Sequence, residues 1–294
     1  MKFLTFKKDG ELKLGVKMDN GILDVEKAAA IFNIDVPKTM DELIRLDFLK
    51  DFDLLVKNAV DSQDSLFVTE EDIQYGPAVP NPGKIICVGL NYRKHAEESN
   101  MPIPEYPILF NKFNNSISGH KDVITLPSNS KENDYEAELV IVIGKETKNV
   151  SREKALEHVF GYCNANDLSS RDLQFRTHQW LLGKSLDGFS PIGPYLVTSD
   201  EVGNPNQLAI KATVNGEVRQ DSNTSDMIFY CDEIVSYISK HMTLSPGDII
   251  LTGTPAGVVF GYPEDQRVYL MEGDQVTIEI EKLGQLVNTF RQES

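Results

Sequence analysis

Apolar and polar positions alternate with a period of two along much of this chain. ELKLGVKMDNGILDV carries Leu12, Leu14, Val16 and Met18 at alternate positions and then turns at Asn20-Gly21, which predicts a hairpin. LAIKATVNGEVRQ alternates on both sides of Asn215-Gly216 and predicts a second. Apolar runs bounded by turn residues predict strands at KIICVG, YPILFNKF, DVITLP, AELVIVIGK and VFGYCNAND, with more in PGDIILTGTPAGV and EGDQVTIEIEKLGQLVNTF. Helical spacing is rarer. TMDELIRL offers Thr39 as N-cap with Glu42 in capping-box position, and Leu43, Leu46, Leu54 and Leu55 predict one or two amphipathic helices reaching about Val60. SREKALEHV reads as a short helix, and CDEIVSYISKHM as one that turns Ile234, Tyr237, Ile238 and His241 inward.

YGPAVPNPGK (75–84) concentrates prolines and glycines and marks the best boundary. It divides the chain into a small N-terminal α+β domain, 1–78, and a larger domain, 79–294. Many strands and few helices make the class α+β, mostly β, as a barrel or stacked sheets.

Charge narrows the function. The chain has 29 basic and 45 acidic residues, a net charge of -16. Nucleic-acid binding needs a basic stripe and attachment to an anionic membrane needs basic clusters, so neither is expected. An anionic substrate would need a local cation. Cys87, Cys163 and Cys231 form no CxxC pair, which suits a reducing interior. MKFLTFKKDG has no apolar core of a signal peptide, and no apolar run approaches membrane-spanning length, so a cytoplasmic location is expected.

Candidate chemistry centres on NDYEAELVIVIGK. Glu136 and Glu138 share one strand face at the entrance to an apolar run, with Asp134 just before. Asp167 ends the next predicted strand. Three carboxylates suit a hard cation, Mg²⁺ or Mn²⁺ better than Ca²⁺, and the lack of nearby Cys or His disfavours zinc. Spacing alone slightly favours a solvated strand edge over a metal site. In GLNYRKHAEE, His95 and Glu98 are one helical turn apart, either a general-base pair or a surface salt bridge. In DLSSRDLQ, Arg171 and Gln174 repeat that spacing, and Arg171 is able to grip a carboxylate. Lys184, in a Gly- and Pro-rich loop, is either an oxyanion stabiliser or a surface lysine. TGTPAG lacks the Lys-Ser/Thr of a P-loop, so nucleotide binding is not expected, but Thr254 and backbone N–H groups there suit an anion. His120 reads as a turn residue, His158, His178 and His241 as unremarkable, and Trp180 as packing at a domain edge or subunit contact.

Taken in order, GLNYRKHAEE, DYEAELVIVIG, NDLSSRDLQ, GKSLDGFSPIGP, VNGEVRQ with SDMIF, and GDIILTGTPAGV resemble the fumarylacetoacetate hydrolase (FAH) family from about Lys84 onward. The resemblance implies a mixed β-roll or barrel-like catalytic domain, a homodimer, and a bound Mg²⁺ or Mn²⁺. It matches Glu136, Glu138 and Asp167 to metal ligands, His95 and Glu98 to a dyad on a lid helix, and Lys184 to the active-site lysine. Arg171, Gln174 and Thr254 match substrate-contacting positions. Asn91 stands where the founding eukaryotic hydrolase has a carboxylate, which implies three protein carboxylates on the metal rather than four. Asp134 then falls to a turn or supporting role.

Family chemistry implies a small 2-oxo acid substrate. An acylpyruvate hydrolase or oxaloacetate decarboxylase leads. An isomerase of 2-hydroxyhepta-2,4-diene-1,7-dioate, or a decarboxylase of its carboxylated precursor, is the alternative. A non-catalytic organic-acid binder is the reading from another class, and an intact His95, Glu98 and Lys184 speaks against it.

Overall fold

A computed structural model describes residues 1–46, 49–60 and 64–293. The strands predicted from alternation are present, as Ile85–Gly89, Ile108–Lys112, Val123–Leu126, Ala137–Ile143 and Val159–Asn166. The hairpin around Asn215-Gly216 joins Ala209–Val214 to Glu217–Asn223. The first hairpin is shifted by one residue. Met18 pairs with Gly21, so the turn is Asp19-Asn20. An earlier strand, Lys2–Lys8, escaped the pattern because Phe3, Leu4, Thr5 and Phe6 are all buried and do not alternate.

The class is α+β and mostly β. Along the larger, twelve-stranded sheet run Phe67–Val68, Gly21–Asp24, Glu11–Met18, Lys2–Lys8, Ser190–Thr198, Val159–Asn166, Ala137–Ile143, Ile249–Leu251, Ile85–Gly89 and Ile108–Lys112. Gln74–Tyr75 and Ile117–Ser118 pair off this path. Five strands from Val123–Leu126 to Gly284–Gln292 form the second sheet. Neither strand order returns to its start, so both sheets are open.

The strand Ala137–Ile143, buried at every position, lies between two cores. Leu139, Ile141 and Ile143 pack with Ile210, Ile278 and Leu286 of the second sheet. Val140 and Val142 pack with Ala28, Leu43, Phe52 and Leu55 of the N-terminal helices. Burial on both faces explains why its sequence reads as a continuous apolar run.

The N-terminal segment adds its strands to the same sheet, through Phe3 opposite Leu196 and Lys2 opposite Val197. Glu70 fastens the junction. It accepts hydrogen bonds from the hydroxyls of Tyr75 and Tyr195 and pairs with Lys17. The division at 78/79 stands as a proposal on sequence grounds, and hydrogen bonds of the large sheet run across it.

Thr39 caps Met40–Arg45 in the expected capping box. Leu43 and Leu55 are buried, but Leu46 and Leu54 are exposed, and Phe52 takes the inward place instead. On Cys231–His241, Ile234 and Ile238 face inward, whereas His241 is exposed with its ring edge on Tyr237. Among the described residues no helix is long and apolar enough to cross a membrane.

His120 lies in a turn, as expected, and is also part of the packing there. It is buried, accepts from the Val287 N–H at 3.0 Å, and meets the Tyr75 ring edge-on. Burial, helped by Lys121, pushes its imidazole down to about 4. A folded-state pKa below the ordinary 6.5 means that protons favour the unfolded chain as pH falls through this window. Between pH 6.5 and 4 the protein should therefore lose roughly 2 kcal/mol more stability than His120→Asn, a penalty discounted for partial solvent screening. Urea unfolding at both pH values measures the difference.

Candidate metal centre and cavity

Antiparallel pairing builds the centre. Ala137 lies opposite Asn166 and Glu138 opposite Ala165, and the Asp167 N–H donates to the Glu136 carbonyl at 2.9 Å. The end of one strand and the residue just past its neighbour are thereby brought together. Glu136, Glu138 and Asp167 are all buried, and each offers an oxygen within 4.8 Å of the others. A solvated strand edge is excluded.

Cations surround them. Lys184 Nζ donates to Glu136 Oε2 at 2.7 Å and to Asp167 Oδ2 at 2.9 Å. Lys112 Nζ lies 2.5 Å from Asp167 Oδ1 and also donates to the carbonyl oxygens of Leu168 and Phe189. Arg171 reaches Asp134 at 2.8 Å and Glu136 at 2.7 Å, and donates to Gln174 Oε1 at 2.9 Å. Lys184 gets there because its short helix, Leu181–Lys184, packs tightly on Arg171–Gln174. A Cβ on Gly183 would come within 2.5 Å of the Gln174 nitrogen and the Ser170 oxygen, so only glycine fits there.

The charges do not balance. Four buried carboxylates, Asp134, Glu136, Glu138 and Asp167, meet three cations, Arg171, Lys184 and Lys112. Among the described residues Glu138 has no cation within ion-pair distance; it accepts only the Gly253 N–H, at 2.8 Å. Burial raises its carboxyl well above the ordinary range, and the charges of Asp167 and Glu136 raise it further. For Glu136, burial also opposes ionisation, but Lys184 and Arg171 outweigh it and hold the group down at about 2. Lys184 is disfavoured as a cation by burial, yet Asp167 and Glu136 hold it above the usual lysine value. Three buried carboxylates, one of them without a counterion, are a donor set that fits a hard divalent cation.

A cavity of about 200 Å³ opens beside this cluster. His95, on the short helix Arg93–Glu98, lines it, with Nδ1 2.7 Å from Glu98 Oε1. The Gly257 N–H donates to the same Glu98 carboxylate, which pins the helix to the loop after Thr254. Gln174 and Thr254 also line the cavity. Thr254 Oγ1 accepts from Gln220 Nε2 at 2.8 Å, which directs its own hydrogen elsewhere.

All nine predicted site residues thus lie in or around one cavity. Asp134 is more than a turn residue. Fully buried, it holds Arg171 and accepts from the N–H groups of Val259 and Phe260. Asn91 is buried and locks the loop by donating to the carbonyls of Phe229 and Thr252 and accepting from the Phe229 N–H. Trp180 lines the cavity. Lys112 and Gln220 carry no local signal: Lys112 sits in an ordinary strand, and Gln220 is an uncharged residue at the end of VNGEVRQ. Gln220 Oε1 accepts the Ala137 N–H between the two glutamates, so it joins the carboxylate strand to the Thr254 loop.

Comparison with known proteins agrees with this geometry. The family model for the fumarylacetoacetate (FAA) hydrolase C-terminal domain matches residues 84–291. The chain belongs to that family and is an enzyme of it. It is 43% identical over 289 residues to a fumarylacetoacetate hydrolase domain-containing protein 2 homologue of Dictyostelium discoideum, covering 95% of this chain and 92% of that one. It is 47% identical over 235 residues to a Xenopus laevis protein named oxaloacetate tautomerase fahd2, mitochondrial, covering 79% of this chain and 72% of the relative. Among solved structures, maleylpyruvate hydrolase from Sphingobium sp. SYK-6 in complex with manganese(II) and pyruvate matches with a TM-score of 0.79 and 30% identity, over the whole of both chains.

The unmatched carboxylate has a measurable consequence. Glu138→Gln keeps an acceptor for the Gly253 N–H and removes the buried charge. Because the folded pKa is raised, the wild type pays an increasing penalty as pH rises above the ordinary value of 4.5, until Glu138 itself ionises. In EDTA at pH 8 the variant should melt about 2–4 °C higher than the wild type, with a smaller gap at pH 4.5. Scanning calorimetry checks both.

Proposed function

We propose that the protein is a divalent-metal-dependent tautomerase of oxaloacetate-like 2-oxo acids, with Glu136, Glu138 and Asp167 holding Mg²⁺ or Mn²⁺. The observation that carries this reading is Glu138, a buried carboxylate with no cation of its own, beside a histidine–carboxylate pair in one cavity. The relative named oxaloacetate tautomerase supports the substrate, and the manganese complex supports the metal.

With Glu138 ionised as a ligand, a divalent ion would leave the cluster with a net charge of plus one, which gives an anionic substrate the local cation that the acidic surface lacks. When bound, the ion supplies Lewis acidity toward a carbonyl oxygen. The chain's own residues do the rest. His95 Nδ1–H donates to Glu98, leaving the Nε2 lone pair as the base. It takes a proton from C3, the electron pair forms the C2–C3 double bond, and charge moves to the C2 oxygen. Reprotonation at oxygen completes the enol, and the reverse sequence restores the keto acid. Lys184 uses two N–H groups on carboxylates and has a third for the enolate or the carboxylate. The Gln174 amide nitrogen and the Thr254 hydroxyl are further donors toward the substrate. Arg171, its nitrogens engaged with Asp134, Glu136 and Gln174, acts by fixing those groups.

C–C hydrolysis is the second reading, favoured by the match to maleylpyruvate hydrolase. There His95 would take a proton from water in place of C3. A homodimer and a cytoplasmic location belong to this proposal as well.

Loss of the oxaloacetate enol band, followed by ultraviolet absorption with Mg²⁺ or Mn²⁺, tests the assignment. The protein should accelerate it, and His95→Ala should reduce the effect at least about a hundredfold. Full activity in EDTA or in His95→Ala refutes the mechanism. Cleavage of maleylpyruvate faster than tautomerisation selects the second reading.

A further inference from the structure

The cavity has an apolar side that a four-carbon dicarboxylic acid does not need. Phe110 and Trp180 meet edge-to-face with ring centroids 5.3 Å apart, and Phe175 and Phe260 lie 4.9 Å apart. All four line the cavity, together with Leu90. None of them is fully buried, and Phe175 is 48% exposed. Partly exposed aromatic rings beside a polar centre are a common seat for a flat apolar group.

The chain makes special provision for this wall. A Cβ on Gly89 would lie 2.6 Å from Trp180 Cζ3 and 3.0 Å from Cη2, so glycine alone lets the indole rest on the strand. Leu90, next in sequence, holds φ at +51°, a conformation that a bulky residue adopts only under constraint. Its side chain is thereby kept on the cavity wall.

Charge says what does not bind there. The fixed cations lining the cavity are Arg171 and Lys184; Arg171 is committed to the carboxylate cluster, and the one N–H that Lys184 has left is taken by the 2-oxo acid head. A second carboxylate against Phe110 and Trp180 would be desolvated without a partner. An uncharged ring is not penalised in that way.

We infer that the aromatic wall formed by Phe110 and Trp180 is a subsite for a planar apolar substituent, and that the enzyme also tautomerises aryl-substituted 2-oxo acids. This rests on the tautomerase reading above. The reaction balances in the same manner: the benzylic C3–H proton passes to His95 Nε2, the electron pair forms the C2–C3 double bond, and the C2 oxygen is protonated. No oxidant or further reactant enters. Trp180 and Phe110 act on specificity, by holding the ring so that C3 faces His95.

Trp180 is the chain's single tryptophan, so its fluorescence reports this wall and nothing else. The probe is phenylpyruvate, with pyruvate as the tail-less control and the Mn²⁺-loaded protein as the sample. Phenylpyruvate should quench Trp180 and bind at least tenfold more tightly than pyruvate. Its enol–keto exchange should be accelerated. Trp180→Ala should lower kcat/KM for phenylpyruvate at least tenfold more than for oxaloacetate, with Trp180→Phe restoring most of the loss. Gly89→Ala, which displaces the indole without removing it, should shift the ratio in the same direction. If oxaloacetate is turned over but phenylpyruvate is neither bound nor turned over, the subsite is wrong and the tautomerase reading stands. If Trp180→Ala lowers both substrates equally, the wall has no selective role and the inference falls. If neither acid is tautomerised, the underlying reading falls with it.

Discussion

The structure depends on four carboxylates being buried within reach of only three cations. Taking a carboxylate out of water is tolerable when a cation and hydrogen bonds replace the solvent, and Asp134, Glu136 and Asp167 have such partners. Glu138 has one backbone N–H. Much of the surrounding architecture serves to keep these charges together. The strand is buried on both faces, Gly183 lets the Lys184 helix close in, and Gln220 ties the strand to the opposite loop. A rigid, water-poor frame with one carboxylate left without a cation suits a divalent ion, and the net positive charge that would result suits an organic acid.

The cation shell also revises how the site works. Arg171 would be a natural clamp for a substrate carboxylate, yet it clamps Asp134 and Glu136 of its own chain. Asp134 in turn accepts from the turn that carries Phe260. One buried residue therefore sets the orientation of a metal-ligand candidate and of an aromatic wall. In the proposed mechanism, binding is left to smaller donors, Lys184, Gln174 and Thr254, around His95 as the base. A site of that kind would recognise a 2-oxo acid head and leave the tail to shape and apolar contact, which suits a family whose members are named as hydrolases, isomerases and tautomerases.

Much of this was legible in the chain. Period-two alternation and turn residues located the hairpins and the central strands, and the six motifs in order named nine residues that fold in and around one cavity. What escaped has physical causes. Lys2–Lys8 is buried at successive positions and loses its alternation. Leu46 and Leu54 have helical spacing but lie outward, since Phe52 fills the core between them. Lys112 is one lysine among many until folding puts it 2.5 Å from Asp167, across 55 residues of sequence. Trp180 carries no local sign of its place on the cavity wall, because nothing near it in sequence shows that Gly89 makes room for it. Long-range contacts of this kind are set by topology, not by local pattern.

Calorimetric titration of Mn²⁺ into the metal-free wild type and into Glu138→Gln tests the central claim most directly. The account predicts one site per chain in the wild type and its loss, or at least a hundredfold weakening, in the variant. Equal affinity and stoichiometry in the two proteins would show that the buried triad is not where the metal binds.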